Sequence, residues 1–78
     1  AVTMGSNLII TGNVGIGGVV GVPTEKLDIN GDGIRIRVTQ TPANASAAGD
    51  PGQICWDANY IYVCVSSNLW KRVAISAW

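Results

Sequence analysis

The stretch Gln53-Ile54-Cys55-Trp56-Asp57-Ala58-Asn59-Tyr60-Ile61-Tyr62-Val63-Cys64-Val65-Ser66 decides the fold class. Two runs rich in β-branched and aromatic residues flank Ala58-Asn59, and a third, Leu69–Ser76, follows the polar turn Ser66-Ser67-Asn68. That pattern predicts a three-stranded antiparallel meander. A two-residue loop sets Ile54 opposite Val63 and Trp56 opposite Ile61. These four then share an apolar face with Val65, while Cys55, Tyr62 and Cys64 lie on the other. A four-residue loop would instead set Cys55 opposite Cys64. Both registers keep Ile54 and Trp56 on the same face, so the pattern leaves both open. Neither face is strongly polar, which implies that both are at least partly covered. The chain offers no spare element for this, so the sequence points to another subunit as the cover.

Composition supports the same expectation. Of 78 residues, 47% are hydrophobic and only 13% charged, against an average charged share of about 25%. So short a chain makes one domain at most and buries little of its own surface alone. It needs a staple or a partner. Five basic and five acidic residues give zero net charge, and the only adjacent basic pair is Lys71-Arg72. No concentrated basic footprint for nucleic acid exists. No apolar run approaches the roughly 20 residues of a membrane span, and no signal peptide is expected.

Upstream, ten glycines and many β-branched residues argue against a long helix. Thr24-Glu25-Lys26 after Pro23 suits a single helical turn capped by Thr24. Leu8, Ile10, Gly12 and Asn13 recur as Leu27, Ile29, Gly31 and Asp32, and Val14 and Ile16 recur as Ile34 and Ile36. Each copy reads as strand, turn, strand, a unit that must stack to bury its apolar face. Residues 39–52 are small and polar and read as a linker or an extended surface segment. The expected organisation is a β-structured stalk at 1–38, a connector at 39–52 and a β-meander cap at 53–78.

Catalytic and ligand motifs are weak. Histidine is absent, removing the commonest general base and metal ligand. Asp28-Ile29-Asn30-Gly31-Asp32-Gly33 opens like a calcium loop, but Thr39 stands where the closing glutamate belongs. A tight turn with positive φ at the glycines is the expected reading. Gly15-Ile16-Gly17-Gly18-Val19-Val20-Gly21 has the wrong spacing for a dinucleotide loop. The expectation is a chain that is not an enzyme, with no catalytic residues, cofactor or metal. Trp56, Tyr60, Tyr62, Trp70 and Trp78 all fall in the last third. They read as core and subunit interface in preference to a carbohydrate-stacking platform.

Two stretches carry a resemblance. Gly12-Asn13-Val14-Gly15-Ile16-Gly17 with Thr24-Glu25-Lys26-Leu27-Asp28-Ile29-Asn30-Gly31 resembles a module recurring in phage tail fibres and tail spikes. Gly52–Val65 with Asn68–Ser76 resembles the C-terminal end of many phage structural proteins. More loosely, Gly52-Gln53 entering a hairpin, then Trp70, then an apolar run closing on Ser76 is similar to the trimer-forming foldon of phage fibritin. The hairpin here is longer, and Lys71-Arg72 intervene after Trp70.

The resemblance implies an all-β, elongated, intertwined homotrimer within a virion fibre, made in the bacterial host cytoplasm. In that reducing compartment Cys55 and Cys64 are expected as free thiols. The resemblance implies either a fragment of a longer fibre or its mature end. The expected trimer interface comprises Ile54, Trp56, Ile61, Val63, Trp70, Val73 and Ile75. The partners are two further copies and the rest of the fibre, with no nucleic acid and no membrane insertion. The rival reading is a receptor-binding tip that contacts host-surface glycan.

Overall fold

The computed structural model describes residues 8–18 and 21–78. Part of the Gly17–Gly21 motif, Val19-Val20, lies outside the described residues. The described chain is all-β, with five strands in two sheets and no helix. It divides in sequence between Ile34 and Arg35.

In the first unit, β1 (Val14–Ile16) pairs in parallel with β2 (Leu27–Ile29). Val14 lies opposite Leu27 and Ile16 opposite Ile29, so the pairing joins the two copies of the sequence repeat. Backbone bonds from Val14 N to the Lys26 carbonyl and from Asn30 N to the Ile16 carbonyl, both 2.7 Å, close its ends. Gly17 is obligatory here. Its φ is 90°, and a Cβ would stand 2.5 Å from the Asn30 carbonyl oxygen.

Several expectations give way between residues 8 and 38. Residues 8–10 and 34–38 form no strand, and Thr24 caps no helical turn. A strand needs a neighbour, and among the described residues none pairs with the Ile34–Val38 run. Asp28 organises the 24–28 bend instead, accepting from Thr24 N at 2.8 Å and Thr24 Oγ1 at 3.2 Å. The positive-φ glycines are Gly17, Gly18, Gly21 and Gly52, not Gly31 or Gly33. None of the described residues from 8 to 34 is buried.

The second unit holds the meander: β3 (Ile54–Trp56), β4 (Tyr60–Ser66) and β5 (Leu69–Ala74), in the order β3-β4-β5. Its first hairpin has the two-residue loop, pairing Ile54 with Val63, Cys55 with Tyr62 and Trp56 with Ile61. Cys55 and Cys64 are therefore not cross-strand partners, and both are free and buried. In the second hairpin Cys64 pairs with Trp70 and Ser66 with Leu69, so Val65 is the extra residue of a bulge. Asn68 turns the chain at φ 56°, a conformation asparagine tolerates better than most residues.

The face that is buried is not the one the apolar pattern favours. The core is Cys55, Tyr62, Cys64 and Trp70, with Ala47 and Tyr60 packed against it. The reason is the 39–52 segment, which folds onto the sheet instead of serving as a bare linker. Gln40 N donates to the Trp56 carbonyl at 3.0 Å, and Trp70 N to the Ala45 carbonyl at 2.8 Å. Trp70 Nε1 donates to the Ala47 carbonyl at 3.1 Å. Asn68 N donates to the Gly49 carbonyl, and Gly49 N returns a bond to Asn68 Oδ1. Small residues let the backbone lie this close to an indole. One face of the sheet is thus covered from within the chain, without another subunit.

Gly49 marks the tightest point. A Cβ there would meet Trp70 Cζ2 at 2.7 Å and Cε2 and Nε1 at 2.9 Å. Gly49→Ala should therefore displace the indole and destabilise the unit by about 1–3 kcal/mol, as overpacking does. The denaturant midpoint checks this.

Candidate functional site

The meander presents two different surfaces. Ile54, Trp56, Ile61, Val63 and Val73 share the uncovered face by strand register, and Ile75 follows at the same parity. Ile54 is 61% exposed, Val73 59%, Ile75 44% and Ile61 40%. Trp56 and Val63 are half-buried. Trp56 is fixed by a 2.8 Å bond from its Nε1 to the Ile36 carbonyl. Trp70 stands apart from these six. It lies on the opposite face, 7% exposed, enclosed by its own chain. The pattern around Trp70 gives no hint of this, because its cover comes from Ala45, Ala47 and Gly49, far away in sequence.

On the covered face a polar cluster surrounds Asp57, which follows β3 and opens the Ala58-Asn59 turn. Thr41 Oγ1 donates to Asp57 Oδ2 at 2.6 Å, and the Tyr62 hydroxyl donates to the same oxygen. Asn59 N and Tyr60 N donate to Oδ1, each at 2.9 Å. These bonds, led by those of Thr41 and Tyr62, hold the Asp57 carboxyl far below the usual carboxylate range. The same carboxylate, with burial, raises the Tyr62 hydroxyl. Burial, then the Asp57 charge, raises the Cys55 thiol. The cluster keeps Asp57 ionised and Tyr62 protonated, which ties the connector to the hairpin. An aspartate ahead of a two-residue turn is visible in sequence, but its bond to Thr41 is not.

The sign of the pH effect follows. A carboxyl whose folded pKa is depressed contributes stability above its unfolded pKa of about 3.9, and that stability is lost as pH falls below it. Melting should therefore be lowered on acidification below about pH 4. Asp57→Asn should melt lower at neutral pH and show a flatter acid limb. Calorimetry across pH checks both.

Beside this cluster lies a cleft of about 350 Å³ between Pro42–Ala45 and β5, with Tyr62, Trp70, Lys71 and Arg72 on its walls. The Arg72 guanidinium carbon sits 4.0 Å from the centre of the Tyr60 ring. Tyr60 and Tyr62 stand 5.7 Å apart at a 46° tilt. Among the described residues no group of three or more Cys, Asp or Glu side chains is placed to hold a metal ion.

No family model matches the chain, and no solved structure matches it. Two phage proteins do. Over 42 residues, 54% of this chain, it is 45% identical to the capsule K30/K69-specific Depolymerase 1 of Klebsiella phage K5-2. Over 56 residues, 72% of this chain, it is 38% identical to the capsule K30/K69-specific depolymerase of Klebsiella phage K64-1. The chain spans only 5% and 7% of the lengths of these relatives. These names, both of enzymes, point against the expectation that the chain is not an enzyme. A missing histidine and unpaired carboxylates in one short stretch say little about a protein many times longer. What the chain is similar to, then, is a short stretch of two capsule-specific phage depolymerases.

Proposed function

We propose that the chain is a segment of a virion-borne phage depolymerase acting on bacterial capsule, and that it holds three copies of that protein together. The open apolar face of the meander carries this reading. Ile54, Ile61, Val73 and Ile75 form an exposed apolar surface on a sheet whose other face its own chain already covers. A small protein rarely leaves such a patch to water unless something docks on it. The interface is Ile54, Trp56, Ile61, Val63, Val73 and Ile75; Trp70 serves the unit's interior. The first unit supports the same reading: Leu8, Ile9, Ile10, Val22 and Ile34 are all exposed, so three chains wound together would give them the surface they lack. The meander then acts as a foldon-like end that sets the register of the three chains.

Brief glutaraldehyde treatment of the chain at micromolar concentration should give a ladder of bands that stops at three. A ladder stopping at two, or a single band, removes the fibre-like arrangement.

A further inference from the structure

We infer that Asn30 is a site of spontaneous covalent modification, where the side chain closes onto Gly31 N as a succinimide and water opens the ring to isoaspartate and aspartate. In the first step the Gly31 nitrogen gives up its proton and bonds to Asn30 Cγ, and the side-chain nitrogen leaves as ammonia. Water from the solvent then adds to one of the two ring carbonyls. Breaking the new Cγ–N bond gives aspartate. Breaking the old peptide bond gives isoaspartate, with the main chain now running through Cβ and Cγ.

Sequence and structure both single out this position. Of the six asparagines only Asn30 is followed by glycine. A residue without Cβ leaves its nitrogen open to approach and its backbone free to turn towards the attacking geometry. Three other asparagine side chains are held by hydrogen bonds. Asn13 Nδ2 donates to the Pro23 carbonyl at 3.1 Å, Asn44 Oδ1 accepts from Ser46 N at 2.9 Å, and Asn68 Oδ1 accepts from Gly49 N at 3.1 Å. Among the described residues Gly31 N donates to no backbone acceptor. Asn30 and Gly31 are both exposed, so water reaches the ring.

The change falls where the first unit is closed. Asn30 N donates to the Ile16 carbonyl at 2.7 Å, and the Asn30 carbonyl oxygen lies 2.5 Å from where a Cβ on Gly17 would stand. Isoaspartate turns that carbonyl into a free carboxylate and lengthens the main chain by one carbon. A charge then stands against Gly17, and the end of the β1–β2 pair is loosened.

The test is peptide mapping of the intact chain held in mildly alkaline buffer at body temperature, with trypsin cutting after Lys26 and Arg35. The 27–35 peptide should gain the mass of an amide turned into an acid and elute as separate isoaspartyl and aspartyl forms. The rate should rise with pH, because the attacking nitrogen must lose its proton. Asp32-Gly33 lies in the same peptide, but its isomerisation leaves the mass unchanged. Gly31→Ala should slow the gain at least about tenfold, a factor worth about 1.4 kcal/mol in the barrier. That variant fits the fold, since a Cβ on Gly31 would meet only Ile29 Cγ2, at 3.6 Å.

A 27–35 peptide that keeps its mass overturns the inference. So does an equally fast gain at Asn13 or Asn59, or a Gly31→Ala chain that converts at the original rate.

Discussion

Trp70→Ala is expected to unfold the 35–78 unit at room temperature. Trp70 is one of four buried residues there, and its indole Nε1 donates to the Ala47 carbonyl, a bond that alanine cannot make. Truncating a core aromatic costs about 3–5 kcal/mol. Whole domains are stable by only about 5–15 kcal/mol, and this unit is small. Loss of the indole also leaves the Ala45 to Gly49 segment without the surface it packs on. In a trimer the loss recurs three times, on the order of 10 kcal/mol in all. Far-ultraviolet circular dichroism and solution mass should both report the collapse. A variant that kept its β-signal, its mass and nearly its wild-type melting point would show that Trp70 is no part of the core.

Charging the open face should have the opposite signature, with assembly lost before the sheet. Ile61 and Val73 are direct cross-strand partners and both are exposed in the single chain. In the double variant Ile61→Lys, Val73→Glu, opposite charges face each other across β4 and β5. Such a pair is mildly favourable on a sheet in water. Buried between chains, each charge carries a desolvation penalty of several kcal/mol. Six buried charges in a trimer would exceed what the interface supplies. The expected result is dispersal to the chain mass of 8.1 kDa, measured by light scattering, with the β-structure of the cap retained. Retention of the wild-type mass would mean that this face does not lie between chains.

The meander was legible in the sequence because its information is local. Alternating β-branched and aromatic residues around Ala58-Asn59 give the strands, and their pairing of Ile54 with Val63 is one of the two registers the pattern allows. Which face would be buried was not legible. Ile54, Ile61 and Val65 look more apolar than Cys55, Tyr62 and Cys64, yet the latter are buried. The choice is made by Ala45, Ala47 and Gly49, whose merit is smallness, a property that reads as linker in isolation. The cleft was hidden for the same reason, since Asn44 and Arg72 meet only after the connector folds back. Ile34–Val38 alternates like a strand, but pairing depends on a neighbour, and none of the described residues pairs with it.

Light scattering of the unmodified chain at micromolar concentration tests the central claim most directly. The account predicts about three times the 8.1 kDa chain mass, unchanged on moderate dilution. A folded, soluble species at 8.1 kDa would contradict it, because the apolar face of Ile54, Ile61 and Val73 would then be stable in water without a partner.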